Sequence, residues 1–478
     1  MTRPLGQATG AEKLKIVTEL IDKLHEDIKN IALLPSDRDL ALEELKIYSR
    51  DPDNADPIFS EKLFQGISTL LPHAFYSPST KTAREALRVL VNAMVLKPET
   101  RQIVIDQGFA KRACGELKGE NFDDEFLNSR ILLLSTYDTV IDVEDLIDNH
   151  HLAEYIVEKL NQHAKDLSKK AVDILSRHAK DLSGKPKSKS RSKSKVDPMQ
   201  DMALTETSKL LYVVSHVCPD RVSSLSAALP HLVFILLKHP VPEPKPLDGP
   251  FKALISAFTN LDFGAEKSKA ALYPKGEAFK VADKLINILE RVVRAYADTD
   301  LDEFASPSVK VIRKVYINAP DTLKKHMRGL LLPTVEDRVD ELGTRDTLPG
   351  KLLKHLTSRT CPVFRVDISD LFLEMSDSDA NKYVQNVGYG FAGGLFLQES
   401  MPIPSSATEA FSGGAGGSQE PRVLTQEEKD RQTEQLFDLF DRLNPSSLTD
   451  VQEDPKETAT TENQPPTTKN DASGEGKE

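Results

Sequence analysis

The sequence predicts an all-α protein built as a long stack of helical repeats. Helical periodicity is nearly continuous along the chain, and leucine and alanine, which favour helices, dominate the periodic segments. At 478 residues the chain also exceeds the roughly 250 to 300 residues at which a single compact core stops growing. It must therefore form either several domains or an extended array, and the regular succession of helices favours the array.

The individual helices are recognised by apolar residues at three- and four-residue spacing between short breaks of proline, aspartate or asparagine. Pro72 is expected to stop one helix, and Ser79 or Thr80 to cap the next. The predicted helices include residues 11–32, 39–48, 59–71, 81–97, 100–117, 123–138, 143–160, 278–297 and 308–317.

A repeat register is visible in four small polar residues that interrupt apolar helices. Asn92, Ser135, Ser215 and Asn260 are separated by steps of 43, 80 and 45 residues. The middle step fits either one skipped repeat or one repeat that carries an insertion. Because armadillo and HEAT units are about 40 to 47 residues long, we predict an armadillo/HEAT-like superhelix over residues 1–400, with small polar residues facing its groove.

A basic insertion follows a short internal repeat. The motif HAKDLS occurs at residues 163–168 and again at 178–183, and the tract KPKSKSRSKSK follows at 185–195. We predict a disordered loop over about 184–200, because lysine and serine cannot bury apolar surface. A nuclear-localisation signal or a patch for anionic lipids is the alternative interpretation of the same tract.

Beyond residue 400 the composition changes. The composition predicts a flexible linker over residues 401–423 and a disordered acidic tail over residues 445–478. Between them, residues 424–444 are predicted to form an amphipathic helix that packs back on the stack or meets a partner. The apolar patch of the late helix includes Leu436, Phe437 and Phe440.

Several classes of function are disfavoured by composition. The net charge of −12 argues against general affinity for nucleic acid. Cys114, Cys218 and Cys361 form no CxxC pair, so neither a disulfide framework nor a zinc site is expected, and a reduced, cytoplasmic setting follows. The sequence shows neither a signal peptide nor an apolar run of membrane-spanning length, so no stable membrane insertion is expected.

No catalytic motif stands out, and we expect no metal and no cofactor. The literal GxGxxG at residues 388–393 lacks the following helix, second strand and acidic residue of a dinucleotide site. We assign the glycine cluster Gly388 to Gly394 a close-approach or helix-end role, at the point where the stack ends. The His150–His151 pair is expected in a loop at a helix end.

Three segments within residues 326–396 carry a family resemblance. HMRGLLLPTVEDRVDELG, LPGKLLKHLTS and DISDLFLEMSDSDANKYVQNVGYG resemble the synembryn family, and the helix at 424–444 lies where that family has one. Its members are cytosolic exchange factors and folding chaperones of heterotrimeric G-protein α subunits (Gα). The resemblance implies a superhelix whose concave surface holds the C-terminal helix of Gα, while the late helix and tail reach the nucleotide-binding domain of the same partner.

The resemblance also implies that the protein acts by binding alone. It would promote GDP release, stabilise nucleotide-free Gα until GTP binds, and help nascent Gα to fold, as a monomer in the cytoplasm recruited through Gα to the cell cortex or plasma membrane. The alternative is a generic armadillo/HEAT scaffold or nuclear-transport adaptor without exchange activity.

Candidate contact residues follow from helical spacing. Arg84, Arg88 and Asn92 lie at i, i+4 and i+8, so one stripe presents two guanidinium groups and an amide to the groove. Arg130 and Asn260 are further candidates on neighbouring helices. The alternative for each is an ordinary surface arginine or a repeat-stabilising asparagine.

The remaining candidates lie near the C-terminus. Leu436, Phe437 and Phe440 would contact the partner from the late helix, and Ser406, Ser447 and Thr449 are candidate sites for an acidophilic kinase. Synembryns carry acidic phosphorylation sites between the stack and the late helix. In the linker of this sequence only Ser406 has an acidic residue at kinase-like spacing, Glu409 three positions later, which puts the regulation in doubt.

Overall fold

The computed structural model describes residues 4–59, 66–182, 197–339, 341–388 and 390–393. They belong to the first of two units, which spans residues 1–418. Within the described residues the structure is helical, with no strand, which confirms the all-α prediction. The linker, the late helix, the tail and most of the basic loop lie outside the described residues.

The α-helices are α1 (Gly10–Asn30), α2 (Pro35–Tyr48), α3 (Asp56–Phe59), α4 (Gly66–Phe75), α5 (Lys81–Leu96), α6 (Glu99–Asp106), α7 (Phe109–Glu116), α8 (Phe122–Ser135), α9 (Val143–Asp148), α10 (Leu152–Leu182), α11 (Pro198–Val217), α12 (Val222–Leu225), α13 (Leu229–Lys238), α14 (Phe251–Phe258), α15 (Glu266–Leu272), α16 (Lys280–Ala295), α17 (Leu301–Phe304), α18 (Ser306–Asn318), α19 (Asp321–Leu331), α20 (Leu348–Leu356), α21 (Pro362–Met375) and α22 (Ala380–Val387).

Two series of helices run through the stack. In the first, each helix packs against the next, and we call it the first ladder: α2, α5, α8, α11, α14, α18 and α21. The second ladder is formed in the same way by α1, α4, α7, α10, α13 and α16. Among the described residues, six repeats contribute one helix to each ladder, and α21 extends the first ladder beyond them. The apolar face of each repeat is therefore buried against its neighbours. The predicted helical-repeat superhelix is therefore the observed fold.

Amphipathic patterning explains why these helices stack. In α16, Val281, Leu285, Leu289 and Val292 recur at three- and four-residue spacing, and all are buried. Equivalent stripes from the other helices join one continuous apolar core that runs from Ala8 to Ala392. At about 1.5 to 3 kcal/mol for each large aliphatic side chain, this shared burial dominates the stability of the array.

The long middle step of the repeat register is an insertion. Helices α8 and α11 pack directly against each other, although Ser135 and Ser215 are 80 residues apart. The extra length contains α9, the 31-residue helix α10 and residues 183–196. Of the two alternatives, a skipped repeat is therefore wrong. The predicted loop also ends earlier than expected, because Asp197 caps α11 at Met199.

Two predicted helices are each divided by a residue with positive φ. The helix predicted over 100–117 breaks at Gly108 (φ 75°), and the helix predicted over 143–160 breaks at His151 (φ 59°). A positive φ ends a helix locally, and apolar periodicity on both sides conceals the break. The prediction that His150–His151 lies in a loop at a helix end is confirmed.

Pro72 does not stop a helix, contrary to the prediction. It lies inside α4, whose Leu71, Ala74 and Phe75 are buried in the core. Proline costs about 3 kcal/mol in a helix interior, and burial of these neighbours offsets that cost. The proposed helix over 59–71 is instead represented by the end of α3 and the start of α4, with residues 60–65 outside the described residues. Thr80, not Ser79, caps α5 by accepting a hydrogen bond from the Ala83 amide.

The glycines at the end of the stack do not form a dinucleotide loop. The residues before them, Tyr383 to Val387, are part of α22, and Gly388 ends that helix with φ 84°. A Cβ at Gly388 would approach Leu342 Cδ1 to 2.9 Å, so this glycine has the predicted helix-end and close-approach role. A Cβ at Gly390 would meet open space, so the close-approach role assigned to the glycine cluster does not hold at this position.

One described segment, Pro219–Lys238, is long and apolar enough to cross a membrane by length and composition alone. No apolar run of that length was expected from the sequence. It consists of short helical pieces ending in α13, not one straight helix. Its Leu225, Leu229, Leu232 and Leu236 are fully buried in the common core. Packing within the stack therefore accounts for its hydropathy.

Candidate functional site

The candidate contact surface is a stripe of partly exposed side chains along the first ladder, which we call the first-ladder stripe. Its candidate residues are Arg84, Arg88, Asn92, Arg130 and Asn260, and the first of them lies on α5. Arg84 Nε and Nη2 donate to the two carboxylate oxygens of Asp124 on α8, at 2.7 and 3.0 Å. These hydrogen bonds to the Asp124 carboxylate raise the pKa of Arg84. Because this pair is bidentate and Asp124 is buried, it fixes the spacing of two adjacent helices.

Arg88 forms a second link one turn further along α5. Its guanidinium donates to Glu85 on the same helix, at 3.1 Å, and to Asp123 on α8. Glu85 in turn pairs with Lys46 on α2. A chain of alternating charges therefore crosses three consecutive helices of the first ladder.

Arg130 continues the pattern from α8 to α11. Its guanidinium lies 3.0 Å from Glu206 Oε1 and 6.0 Å from the ring of Phe126. Lys209 approaches the same Glu206 oxygen at 2.9 Å. The other oxygen, Glu206 Oε2, is buried without a hydrogen-bond partner among the described residues. The contact between Arg130 and Glu206 therefore leaves one carboxylate oxygen that can still accept a hydrogen bond.

The two candidate asparagines join equivalent positions of neighbouring repeats. Asn92 Nδ2 donates to Ser49 Oγ at 2.9 Å, and Asn260 Nδ2 donates to Ser215 Oγ at 3.2 Å and to the Tyr212 carbonyl at 3.1 Å. The Ser215–Asn260 step of the register derived from the sequence therefore corresponds to a hydrogen bond. The Ser49–Asn92 bond adds an equivalent step of 43 residues before the first member of that register.

All five candidate groove residues thus lie between helices of the first ladder. Arg84, Arg88 and Asn92 come together on α5, Arg130 lies on the next ladder helix, and Asn260 follows α14. The side chains of Arg84, Arg88 and Arg130 are 24, 28 and 31% exposed, respectively. Each has a structural role within the stack and still reaches solvent, so the two interpretations of these residues are compatible.

Sequence reasoning missed an aromatic and apolar part of the same ladder. Tyr212 and His216 on α11 stack with ring centroids 6.3 Å apart, and Val217 beside them is exposed. Tyr137, just after α8, belongs to the same region: burial raises its pKa, and nearby Glu206 and Tyr212 raise it further. The i, i+4 spacing of Tyr212 and His216 was the available signal.

A further set of ion pairs between helices lies near the C-terminal end of the first ladder. Arg313 on α18 donates to Asp370 at 2.7 Å and to Glu374 at 3.1 Å, both on α21. Like the Arg84–Asp124 ion pair, this contact joins two consecutive helices of the first ladder through an arginine guanidinium and carboxylate groups. Its signal in the sequence was weak, because partners 57 and 61 residues away do not share a helix.

Within the described ranges, no group of three or more histidine, cysteine or acidic side chains could hold a metal ion. The late-helix candidates Leu436, Phe437 and Phe440 lie outside the described residues. The same holds for the candidate phosphorylation sites Ser406, Ser447 and Thr449. The described part of the candidate surface carries paired cations, amides and exposed rings, a combination suited to binding.

Comparison with known proteins identifies the family. A synembryn-like chaperone of Schizosaccharomyces pombe is 28% identical over 157 residues, covering 27% of this chain and 30% of that protein. The alignment thus spans less than a third of the relative's length. A solved structure of an engineered protein aligns with 88% of this chain and 99% of its own at 14% identity and a TM-score of 0.34. The family model described as "Guanine nucleotide exchange factor synembryn" matches residues 41–464, so this chain belongs to the synembryn family of guanine nucleotide exchange factors.

Proposed function

We propose that this protein is an exchange factor and folding chaperone for G-protein α subunits, and that it acts through binding without any covalent step. The family match over residues 41–464 carries the proposal, because it spans nearly all of the first ladder and extends through the late helix. No cofactor is needed for such an activity.

The exposed stripe of the first ladder has the chemistry to hold a helix. Arg84, Arg88 and Arg130 offer cationic donors, and Tyr212 and His216 offer a stacked pair of rings. A helix that lies along a groove is recognised by this combination of apolar anchors and polar groups. We assign this stripe to the C-terminal helix of Gα.

Exchange then follows as a population shift. If the stripe binds the Gα helix in an orientation available only when the nucleotide site is open, binding favours nucleotide-free Gα in proportion to the difference in affinity. A hundredfold preference corresponds to about 2.7 kcal/mol, which is within the range of a few anchoring contacts. GTP binding closes Gα and releases the exchange factor. The chaperone activity uses the same surface to hold the helix of nascent Gα.

The cellular setting is part of the proposal. We assign the protein to the cytoplasm as a monomer, with recruitment to the cell cortex or plasma membrane through Gα. The late helix, residues 424–444, would contact the nucleotide-binding domain of the partner. Fluorescent fusions with and without depletion of Gα would test the recruitment.

The experiment is to measure GDP release from Gα subunits of the same source, with the Tyr212→Ala/His216→Ala variant beside the parent protein. Both rings are at the surface, and the variant is expected to fold normally. We expect the parent protein to accelerate GDP release and the variant to lose about tenfold in affinity for a peptide of the Gα C-terminal helix. Lys111→Ala, an exposed change on the second-ladder helix α7, is the matched control and should retain full activity.

Two results would count against the proposal. Failure to accelerate GDP release from any of these α subunits would remove the exchange activity. Exchange at the parental rate by the Tyr212→Ala/His216→Ala variant, combined with unchanged peptide binding, would show that the stripe is not the binding surface.

A further inference from the structure

A cavity of about 420 Å³ is lined by none of the residues assigned above to the contact surface of the first ladder. It forms between the turn that follows α7, the start of α8 and the middle of α10. Phe122 and Tyr155 supply aromatic walls, and Lys118 and Lys159 line the same space. Its volume is within the range of about 300 to 1,000 Å³ that small-molecule sites occupy.

Lys159 is the unusual residue in this cavity. It is only 3% exposed, and its ammonium donates to the Gly119 carbonyl and to Gln162 Oε1 at 3.2 Å. Gln162 is itself held, because its amide donates to the Glu120 carbonyl at 3.1 Å. Two neutral acceptors therefore fix the ammonium, and its third N–H remains for another acceptor.

No carboxylate among the described residues lies within ion-pair distance of Lys159. Glu125 is the acidic group that raises the pKa of Lys159 most. Its Oε1 accepts hydrogen bonds from His163 at 2.9 Å and Thr207 at 2.6 Å, and its Oε2 is buried without a hydrogen-bond partner among the described residues. Burial lowers the pKa of Lys159, whereas Glu125 and Glu120 act in the opposite direction. A buried ammonium without a paired anion is costly for a fold to retain.

The side chains that line the cavity include four lysines and three acidic groups, a net charge of +1. Lys165 pairs with Glu158 at 3.5 Å, and Lys169 pairs with Asp166 at 3.2 Å. Lys118 has no such carboxylate partner among the described residues, and its ammonium lies 5.3 Å from the centre of the Tyr155 ring. After these pairs are removed, Lys118 and Lys159 outnumber Glu120, the remaining acidic side chain of the lining.

We propose that the cavity binds a small phosphate-bearing molecule, with Lys159 and Lys118 holding the phosphate and Phe122 and Tyr155 contacting the rest of the ligand. Two ammonium groups can donate to several phosphate oxygens at once, whereas a carboxylate offers only two oxygens. This site is separate from the surface assigned to Gα, and the inference does not depend on the proposed exchange activity.

The test uses the full-length protein and phenyl phosphate, which combines a phosphate with one aromatic ring. Binding is measured by isothermal titration calorimetry and by ³¹P NMR, with inorganic phosphate and phenol as the separated halves of the probe. We expect saturable binding of phenyl phosphate, weaker binding of inorganic phosphate and no detectable binding of phenol.

Three lysine variants locate the site. Lys159→Met and Lys118→Met should each weaken phenyl phosphate binding at least about tenfold. Lys111→Met, an exposed lysine outside the cavity, should bind as the parent protein does. Because Lys118 is exposed, Lys118→Met is expected to fold even if the buried Lys159→Met does not.

The proposal is overturned if the parent protein does not bind phenyl phosphate, or if Lys118→Met binds it with parental affinity. It is also overturned if phenol binds as tightly as phenyl phosphate, because the phosphate would then contribute nothing. GDP release measured on Lys118→Met should remain at the parental rate, so failure of this site is distinguishable from failure of the proposed exchange activity.

Discussion

The side-chain amide of Asn92 donates a 2.9 Å hydrogen bond to the hydroxyl of Ser49, a residue one repeat earlier in the chain. Asn260 makes the corresponding bond to Ser215 across another pair of ladder helices. These bonds fix the register of neighbouring repeats, where apolar packing alone would tolerate small sliding movements. The recurring asparagines in the sequence thus make recurring hydrogen bonds between neighbouring repeats.

Removal of the Asn92 amide should therefore destabilise the stack. We expect Asn92→Ala to lower the free energy of unfolding by about 1 kcal/mol, because the Ser49 oxygen loses the hydrogen bond from Asn92, although the hydroxyl still donates to the Lys46 carbonyl at 2.9 Å. Urea denaturation measures the change, and Asn161→Ala, which loses a surface bond to Glu158 within α10, is the control with a change below about 0.5 kcal/mol. Additive effects of Ser49→Ala and Asn92→Ala in a double-mutant cycle would contradict the coupling.

Asp367 makes the stability of the last ladder contact depend on pH. Burial raises the pKa of this carboxyl from 3.8 to about 6, although Lys310 on α18 lies 3.7 Å away. Because the folded-state pKa lies above the unfolded value, the stabilising contribution is complete below about pH 3.8 and is lost as the pH rises through about 6. At neutral pH the buried charge costs about 3 kcal/mol, at roughly 1.4 kcal/mol for each pKa unit.

We therefore expect Asp367→Asn to increase the free energy of unfolding at neutral pH by about 1 to 3 kcal/mol, and to have little effect near the lower end of that pH range. Asp370→Asn on the same helix is the matched control. It should destabilise the protein, because Arg313 then loses an ionised acceptor at 2.7 Å. Thermal unfolding of both variants as a function of pH measures the difference, and destabilisation by Asp367→Asn at neutral pH would refute the assignment.

Gly388 and Gly390 should respond in opposite ways to the same substitution. Gly388→Ala forces a Cβ into a residue with φ 84° and to within 2.9 Å of Leu342 Cδ1, so we expect a loss of about 1 to 3 kcal/mol. Gly390→Ala places its Cβ in open space and should be neutral or slightly stabilising. Differential scanning calorimetry compares the two variants, and equal loss of stability in both would contradict the steric explanation.

The cysteines should be unreactive in the folded protein. Burial raises the pKa of Cys114 to about 12, and Cys218 and Cys361 are also buried. Because the thiolate is the reactive form, we expect no rapid reaction with Ellman's reagent under native conditions and release of all three thiols in guanidinium chloride. A fast stoichiometric phase in the native protein would show that one thiol is accessible.

The fold class and the repeat length were available from the sequence because both depend on local patterning. Apolar residues at helical spacing, as in α16, define an amphipathic helix before any tertiary contact is known. Asn92 and Asn260 were found in the same way, since a small polar residue recurring inside apolar helices is visible along the chain. The break at Gly108 was missed because a change in φ leaves periodicity intact on either side.

The partners of each side chain were decided by the tertiary structure. The sequence indicated that Arg84 and Arg88 share a face of α5, but only the packing of α8 against it brought Asp124 and Asp123 into reach. The same holds for Lys159, whose burial depends on a turn 40 residues earlier. Helical periodicity specifies which face of a helix is buried, whereas contacts between helices depend on how all the repeats stack, and that information is distributed over the whole chain.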